Sequence, residues 1–373
     1  MKIVSIDTYY GAVPLHTPFK TALRTVTVAE TVIVKVTCDN GIIGWGEAPP
    51  THVITGDSLA SIESAITNVF KPLLTGESIT ERDRLFALIN KAIVGNTSAK
   101  AAIDMALHDC AAQQAGLPLH VFLGGYRDEI ETDYTVSVNT PEEMAADAKA
   151  YINNGFNVLK VKVGKDQIST DIERIKAIRE KVGDSCLIRL DANQGWRPKE
   201  AVSAIRKMED LGLDIELVEQ PVLAHDLKGL KYVTENVDTP IMADESVFSI
   251  YDAREVLETA SADLINIKLM KAGGIHQAMK IANLAESFGV ECMVGSMIET
   301  KLGITAAAHF AASQKNVTRY DFDAPLMLAD DIVSGGIIYN ERKITFNSGS
   351  GLGVKEIDGN YLHDTKSIYA VEK

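Results

Sequence analysis

Charged residues end successive apolar segments along the middle of this chain, and their spacing constrains the fold more than any other feature. From about residue 131 onward, short hydrophobic runs alternate with helical patterns. Five of these runs end in a charged residue, at intervals of 24 to 29 residues: Lys162, Asp191, Glu219, Asp244 and Lys268. Such an interval is typical of one strand plus one helix in a parallel βα unit. The pattern predicts a barrel of parallel strands whose charged ends meet at one mouth.

Eight strand candidates support a TIM-type barrel. Seven are clear apolar runs: Thr132–Val138, Val158–Val163, Leu187–Asp191, Ile215–Glu219, Ile241–Asp244, Leu264–Lys268 and Glu291–Val294. A weaker eighth strand ends near Tyr320. The intervening helices have recognisable ends, as at Thr140-Pro141-Glu142-Glu143, which has the spacing of a capping box with proline at the first helical position.

A separate lobe precedes the barrel. A β-branched run over 31–37, a turn at Asp39-Asn40-Gly41 and a second run over 42–46 predict a hairpin. Three helical patterns follow, at Ser58–Leu74, Glu81–Val94 and Ser98–Ala115. We therefore expect a β-rich start followed by helices up to about residue 125.

Composition and charge exclude several classes of function. The 373 residues include 37 Lys and Arg against 51 Asp and Glu, a formal net charge of −14, which disfavours nucleic acid as a partner. No apolar run of membrane-spanning length occurs, and Asp7 interrupts the N-terminus before a signal peptide could form. Four scattered cysteines fit a reducing compartment. These features predict a cytoplasmic protein without a membrane partner.

Three of the strand-end residues are carboxylates, and together they form a candidate metal site. Asp191, Glu219 and Asp244 would offer only oxygen ligands, which suits Mg²⁺. Zinc is disfavoured because neither histidine nor cysteine joins the set. The alternative is a ring of ion pairs with neighbouring lysines and no metal.

The lysines of the set are candidate acid–base groups. Alternation along a strand places Lys160 and Lys162 on the same side, and Lys268 reaches the mouth from another strand. A nearby metal ion and a second lysine would both lower the pKa of an ammonium towards the range of a general base. A structural salt bridge is the alternative reading, and Schiff-base aldolase chemistry is a further one that would not need the three carboxylates.

The ordered motifs resemble the muconate-lactonizing subgroup of the enolase superfamily over almost the whole chain. The motifs are Lys160-Val161-Lys162, Asp191-Ala192-Asn193, Val218-Glu219-Gln220-Pro221, Ala243-Asp244-Glu245-Ser246 and the Lys268–Gly274 run. The resemblance implies an α/β fold, a modified TIM barrel of the (β/α)₇β type with an N-terminal α+β capping domain. It also implies one Mg²⁺ per chain on the three carboxylates. We expect a capping domain over 1–125, a barrel carrying the active site over 126–325, and a C-terminal segment over 326–373 that folds back on the capping domain.

Within this subgroup the chain is most similar to the dipeptide epimerases. The relevant segments are Lys20–Arg24, Ile54–Asp57, Gly295–Thr300 and Asp321-Phe322-Asp323. The resemblance implies isomerase activity in murein peptide metabolism, namely epimerisation of the C-terminal residue of a dipeptide, with L-Ala-D-Glu and L-Ala-L-Glu as the expected pair. Lys162 and Lys268 would transfer the proton by a two-base 1,1-proton transfer through an enediolate. The implied substrate-binding residues are Arg24, Thr135, Lys160, Ser296, Ile298, Asp321 and Asp323.

Two of these assignments also have a physical rationale. Asp321 and Asp323 could accept hydrogen bonds from a substrate ammonium, and the fork of Arg24 suits a second carboxylate such as a glutamyl side chain. Other readings keep the fold: a dipeptide epimerase with apolar or cationic side-chain specificity, a muconate cycloisomerase, an o-succinylbenzoate synthase, or a binding protein without catalysis. The sequence leaves homo-oligomerisation open.

Overall fold

A long antiparallel hairpin opens the structure, a computed structural model that describes residues 1–365. Its first three strands are β1 (Ile3–Lys20), β2 (Thr25–Cys38) and β3 (Ile43–Ala48). Thr37 pairs with Ile43 across the turn between β2 and β3, which confirms the predicted hairpin. The tip between β1 and β2 holds the Lys20–Arg24 segment, closed by a hydrogen bond from Thr21 N to Arg24 O (3.0 Å).

Helices cover one face of this sheet and form the capping domain with it. They are α1 (Leu59–Ser64), a π-helical stretch (Ala65–Phe70), α2 (Lys71–Leu74), α3 (Arg82–Ala92), α4 (Thr97–Ala115) and α5 (Leu119–Phe122). α4 is buried along most of its length and packs against β2 and β3. Gly46 permits this approach, because a Cβ there would overlap the Ala102 carbonyl.

The barrel consists of parallel strands that alternate with helices. A short strand β4 (Glu129–Glu131) precedes it. The barrel strands are β5 (Tyr134–Val136), β6 (Val158–Lys162), β7 (Leu187–Asp191), β8 (Ile215–Glu219), β9 (Ile241–Ala243), β10 (Leu264–Ile267), β11 (Cys292–Val294) and β12 (Val317–Tyr320). The helices are α6 (Pro141–Asn153), α7 (Ile168–Val182), α8 (Pro198–Asp210), α9 (Leu227–Thr234), α10 (Ile250–Thr259), α11 (Leu269–Ala272), α12 (Ile275–Ser287) and α13 (Lys301–Ser313).

The eight barrel strands are neighbours in chain order, as the βα spacing predicts. The two edges of the sheet approach each other where Asp133 N donates to Tyr320 O (3.2 Å). Leu217, Met242 and Met293 are fully buried in a small apolar cluster that also includes Leu264. A barrel closed in this way brings the carboxyl ends of its strands around one opening.

Local sequence signals explain where the barrel helices begin. The Thr140 Oγ1 atom accepts a hydrogen bond from Glu143 N (3.3 Å), and Glu143 Oε2 accepts one from Thr140 N (3.1 Å). Pro141 occupies the first helical position, so the predicted capping box is confirmed.

The C-terminal residues add short strands to both parts of the molecule. They form β13 (Val333–Gly335), β14 (Ile337–Asn340), β15 (Lys343–Phe346), β16 (Val354–Ile357) and β17 (Leu362–His363). β15 pairs with β4 beside the barrel, and β17 pairs with β1 of the capping sheet. Within residues 1–365, no helix has the length and apolar character needed to cross a membrane.

Candidate active site

The strand-end charges meet at one mouth of the barrel. Lys162 on β6 pairs in register with Asp191 on β7, and Asp191 pairs with Glu219 on β8. Asp244 directly follows β9 and Lys268 directly follows β10. All five side chains are buried. Parallel register therefore places the five charges around the carboxyl ends of five consecutive strands.

Lysine ammonium groups contact the buried carboxylates directly. Lys162 Nζ lies 2.6 Å from Asp191 Oδ2, and Lys268 Nζ lies 2.6 Å from Asp244 Oδ2. Lys271, to which the sequence assigned no role, places its Nζ 2.6 Å from Asp244 Oδ1. Its position three residues after Lys268, one turn along the short helix α11, is the sequence signal that could have placed Lys271 at the same site.

Lys160 connects three acids and is almost completely buried. Its Nζ lies 3.2 Å from Asp191 Oδ2, 2.8 Å from Glu219 Oε2 and 2.8 Å from Asp321 Oδ2. Burial acts to lower the pKa of Lys160, but Asp321, Glu219 and Asp191 outweigh it and raise the pKa well above its usual value. Lys160 therefore joins two of the three predicted metal ligands to the predicted ammonium site.

The three predicted ligands converge, but they do not form a ready metal cage. Among residues 1–365, no three side chains of metal-ligand type are arranged as a coordination site. A lysine lies against each carboxylate, as the ion-pair alternative anticipated.

The donor set nevertheless fits a hard divalent cation. Glu219 Oε2 and Asp244 Oδ1 are buried at ion-pair distance from a lysine but form no hydrogen bond, and Glu245 Oε2 beside them also has no hydrogen-bond partner in the described chain. Buried anionic oxygens that lack hydrogen bonds are the atoms that a divalent cation would satisfy.

Opposing effects set the pKa values at this mouth. Burial and the Asp191 charge raise the pKa of Glu219 to about 7. Burial acts the same way on Asp191, but Lys162 and Lys160 outweigh it and lower the pKa to about 2. At Lys268 burial acts to lower the pKa, and the neighbouring Asp244 and Glu219 raise it. Asp244 therefore stabilises the ammonium form of Lys268, and the lowering of its pKa expected from a bound metal ion stays a prediction.

A cavity opens above the mouth, between the barrel and the capping domain. Nine of the twelve predicted site residues line it: Arg24, Thr135, Lys160, Lys162, Lys268, Ser296, Ile298, Asp321 and Asp323. The three carboxylate ligands lie behind the lysines. Sequence reasoning missed the apolar lining, which includes Phe19, Val53 and Ile54. Phe19 lies near the end of β1, and Val53 and Ile54 lie in the loop after β3, but no pattern in these segments distinguishes an inward-facing apolar side chain from a core residue.

The two aspartates after β12 have different partners. Asp321 Oδ2 contacts Lys160, whereas Asp323 Oδ2 accepts a hydrogen bond from Thr135 N (2.6 Å). Burial and the charge of Asp321 raise the pKa of Asp323 to about 7. Burial also acts to raise the pKa of Asp321, but Lys160 and Lys162 lower it. The pair therefore offers one firmly ionised carboxylate and a second that a cation would ionise.

Arg24 lies at the tip of the β1–β2 hairpin and lines the same cavity. Its backbone N donates to Thr21 Oγ1 (3.2 Å), which fixes the turn. Its guanidinium forms no salt bridge within residues 1–365, and burial lowers its pKa. A partly buried cation without an ion pair is suited to bind an anionic group of a ligand.

Comparison with known proteins agrees with this architecture. The family model "Mandelate racemase / muconate lactonizing enzyme, N-terminal domain" matches residues 4–124, and "Enolase C-terminal domain-like" matches residues 143–359. The chain is 66% identical over 354 residues to L-Ala-D/L-Glu epimerase of Bacillus subtilis, covering 95% of this chain and 97% of that protein.

Solved structures show the same likeness. A substrate-liganded complex of the Bacillus subtilis epimerase superposes with a TM-score of 0.95 at 65% identity, covering 96% of this chain and 99% of that one. The dipeptide epimerase of Enterococcus faecalis V583, complexed with Mg and the dipeptide L-Leu-L-Tyr, gives a TM-score of 0.93 at 44% identity and covers 95% of this chain and 100% of that one.

A barrel with acids and lysines on successive strand ends, roofed by an α+β domain, is the architecture of the enolase superfamily. The chain belongs to the mandelate racemase and muconate lactonizing enzyme family of that superfamily.

Proposed function

We propose that this protein is a Mg²⁺-dependent isomerase that epimerises the C-terminal residue of a dipeptide, interconverting L-Ala-D-Glu and L-Ala-L-Glu. The Bacillus subtilis relative, 66% identical over nearly the whole chain, is an L-Ala-D/L-Glu epimerase. A Clostridium acetobutylicum protein of the same name is 49% identical over 347 residues.

One observation carries the proposed mechanism. Two buried lysines reach the same cavity from strands that stand four positions apart in an eight-stranded barrel: Lys162 from β6, and Lys268 from the end of β10. Inversion at a carbon centre needs a base on one face and an acid on the other. A substrate lying between the two Nζ atoms would lose its α-proton to one lysine and regain a proton from the other. By family resemblance, Lys162 serves the L epimer and Lys268 the D epimer.

The three strand-end carboxylates are the proposed Mg²⁺ ligands. Asp191, Glu219 and Asp244 would hold the ion, and bound Mg²⁺ would stabilise the negative charge that develops on the substrate carboxylate as the α-proton leaves. The dipeptide epimerases of Enterococcus faecalis and Cytophaga hutchinsonii were crystallised with Mg and a dipeptide, which supports this assignment. One lysine would then face the substrate as the neutral amine that accepts the α-proton, and the other as the ammonium that donates a proton.

The remaining polar residues of the cavity would orient the dipeptide. Asp321 and Asp323 would accept hydrogen bonds from its N-terminal ammonium, and Thr135 N orients the Asp323 carboxylate. Arg24 would pair with the glutamyl side chain. Ser296 and Ile298 line the wall between these two ends. Each charged end of the substrate thus has a named partner.

A dipeptide with an apolar second residue is the second candidate substrate. Phe19, Val53 and Ile54 line the cavity beside Arg24, and such a lining would accept an aliphatic side chain. The Enterococcus faecalis relative at 44% identity is a hydrophobic dipeptide epimerase.

Solvent exchange tests the reaction itself. The enzyme with Mg²⁺ in D₂O should place deuterium at the α-carbon of the second residue of Ala-Glu, and the product should be the opposite epimer. Complete turnover after exhaustive chelation would remove the metal from the proposal, and absence of exchange with every dipeptide tested would overturn the function.

Substrate comparison tests recognition. The kcat/KM values for Ala-Glu, Ala-Leu and N-acetyl-Ala-Glu should fall in that order, because acetylation removes the ammonium that Asp321 and Asp323 would bind. The Asp323→Asn variant should lower kcat/KM for Ala-Glu by about 10- to 100-fold, the equivalent of one lost charge-assisted contact, without changing Mg²⁺ affinity. A preference for the acetylated dipeptide would exclude the ammonium site.

We also propose the domain division 1–125, 126–325 and 326–373, of which residues 366–373 lie outside the described part of the chain. The N-terminal family model, which ends at residue 124, supports the first boundary, and the pairing of β17 with β1 supports a C-terminal segment that folds back on the capping domain. A cytoplasmic location fits four cysteines that are all free thiols. We propose that the protein binds a small dipeptide as its substrate and has no nucleic-acid or membrane partner. Homo-oligomerisation stays a prediction that light scattering would test.

A further inference from the structure

An acid from the capping domain holds the first turn of a barrel helix. Glu47 on β3 is completely buried. Its Oε1 accepts a hydrogen bond from Thr300 N (2.8 Å), and its Oε2 accepts from Thr300 Oγ1 (2.6 Å) and from Gly303 N (2.8 Å). Free N–H groups at a helix start favour an anionic acceptor. Glu47 therefore caps α13 from another domain.

The two chain segments joined by this contact continue directly into the active-site wall. Residues 49–57 leave β3 just after Glu47 and bring Val53 and Ile54 to the cavity. Ser296, Met297 and Ile298 precede Thr300 and line the same cavity from the barrel domain. One carboxylate thus fastens the base of a capping-domain loop to the base of a barrel loop.

Glu299 stabilises the same junction from the barrel side. Its Oε1 accepts a hydrogen bond from Met297 N (2.9 Å), and its buried Oε2 has no hydrogen-bond partner within the described chain. A Cβ at Gly303 would collide with Glu299 Oε2 and approach Glu47 Oε2 to 3.2 Å, so both acids crowd onto this glycine. Burial, reinforced by the charge of Glu47, raises the pKa of Glu299 to about 8. Burial raises the pKa of Glu47 as well, but the hydrogen bonds from Thr300 and Gly303 oppose that rise, whereas Glu299 Oε2 accepts none.

We propose that Glu47 is a positioning residue for substrate recognition: it sets the Ser296–Ile298 segment against the bound dipeptide and locks that segment to the capping-domain loop. The effect on substrate rests on the proposed function, whereas the effect on the segment does not.

The chain offers a matched control. Asp104 on α4 is also buried and also caps a barrel helix from the capping domain, since its Oδ1 accepts from Ile275 N (2.6 Å) and its Oδ2 from His276 N (3.2 Å) at the start of α12. No residue of α12 lines the cavity. Loss of Asp104 weakens domain docking in the same manner without disturbing the active-site wall.

The experiment compares Glu47→Gln, Glu47→Asp and Asp104→Asn. In Glu47→Gln the amide oxygen can still accept from Thr300 N or Gly303 N, but the amide nitrogen cannot accept from the other, so the substitution removes at least one of the two backbone contacts and loosens the segment. We expect KM for Ala-Glu to rise at least tenfold in Glu47→Gln with a smaller change in kcat, partial recovery in Glu47→Asp, and KM within twofold of wild type in Asp104→Asn. Mg²⁺ affinity should stay within twofold throughout.

Amide hydrogen exchange supplies a readout that is independent of catalysis. Glu47→Gln should accelerate exchange at least tenfold over residues 296–303, whereas Asp104→Asn should accelerate it only around residues 275–278. Unchanged protection of residues 296–298 in Glu47→Gln, or equal increases of KM in Glu47→Gln and Asp104→Asn, would overturn the inference. Wild-type protein that exchanges no dipeptide α-proton would instead overturn the proposed function and leave the exchange experiment to decide the role of Glu47.

Discussion

Two charge clusters occupy successive levels of one barrel, and they are built from different cations. The base cluster lies towards the amino ends of the strands and consists of Asp133, Arg189, Glu216 and Arg319. The mouth cluster lies at the carboxyl ends and consists of Lys160, Lys162, Asp191, Glu219, Asp244, Lys268, Lys271 and Asp321. In the base cluster, Arg189 bridges Asp133 (2.9 Å) and Glu216 (2.7 Å), and Arg319 contacts the other oxygen of Glu216 (2.8 Å).

Two glutamates on β8 show what the difference means. Both carboxylate oxygens of Glu216 accept hydrogen bonds from arginines, whose fork matches a carboxylate. Burial acts to raise the pKa of Glu216, but Arg189 and Arg319 outweigh it and lower the pKa. Glu219, three residues further on, has an oxygen without a hydrogen bond and a pKa raised to about 7. The Glu216 carboxylate is therefore satisfied by two arginines, whereas Glu219 still has binding capacity for a cation. Asp133 is the exception in the base cluster, because its Oδ1 has no hydrogen-bond partner in the described chain.

The largest expected effect is the loss of catalysis when a lysine of the mouth cluster is removed. Replacement of Lys162 or Lys268 by alanine should lower kcat for epimerisation by at least about 10²–10⁴-fold, the usual contribution of a general acid or base. Both directions of reaction should suffer, because each lysine acts once in every turnover. Quantification of both epimers by chiral chromatography measures the loss.

Wild-type rates in both directions after loss of either lysine would contradict the two-base mechanism. A variant that still exchanges the α-proton of one epimer without inverting it would instead locate the remaining base.

The second prediction concerns the contribution of the base cluster to the stability of the fold. Arg189→Met leaves Asp133 and Glu216 without a shared partner, so the free energy of unfolding should fall by about 3–5 kcal/mol. The kcat per folded molecule should stay within about threefold of wild type, since no base-cluster residue lines the cavity. Urea denaturation and active-site titration measure the two quantities.

Arg254→Met serves as the control for this experiment, because Arg254 is an exposed arginine on α10 whose one ion pair within residues 1–365 is a long contact to Glu258 (3.9 Å). Its unfolding free energy should change by no more than about 0.5 kcal/mol. Equal losses in the two variants would mean that the base cluster contributes nothing specific.

The mouth cluster could be predicted from sequence, whereas the base cluster could not. Lys162, Asp191 and Glu219 end apolar runs at the interval of one βα unit. The parallel register of the strands then brings their side chains together at one edge of the sheet. Arg189 lies two residues before Asp191 on the same face, yet an arginine inside a strand gives no sign of its partner. Its role depends on sheet closure, which brings Arg319 to Glu216 across 103 residues.

Contacts between the capping domain and the barrel could not be predicted from the sequence either. Glu47 meets Thr300 across 253 residues, and nothing local in the β3 sequence distinguishes it from an exposed strand glutamate. Strand order and helix starts follow from local periodicity and capping, but domain docking depends on the complementarity of two finished surfaces.

The third prediction uses pH to compare the two glutamates. Between pH 4.5 and about 7 the native state holds a proton on Glu219 that the unfolded state releases, so its contribution to stability is present below pH 4.5 and is lost as pH rises to 7. Glu219→Gln should therefore stabilise metal-free protein by about 1–3 kcal/mol at pH 8, from 1.36 kcal/mol per pKa unit, with the gain vanishing near pH 4.5.

Glu216 should behave in the opposite way. Its lowered pKa contributes stability above pH 4.5 that is lost as pH falls through the native pKa. Urea titrations in a chelator from pH 4 to 8 would compare Glu219→Gln with Glu216→Gln. The same sign of pH dependence in the two variants would refute the distinction between the clusters.

The smallest effect concerns two arginines with contrasting partners. Arg189 is neutralised by two acids, whereas Arg24 has no ion pair among the described residues and faces the cavity. Arg24→Met should leave the free energy of unfolding within about 0.5 kcal/mol of wild type. It should lower kcat/KM for Ala-Glu relative to Ala-Leu by about tenfold, which corresponds to about 1.4 kcal/mol. The ratio of the two kcat/KM values measures this effect free of differences in the amount of active enzyme. An unchanged ratio would assign the glutamyl side chain to another partner, and a large loss of stability would show that Arg24 supports the hairpin tip instead of the substrate.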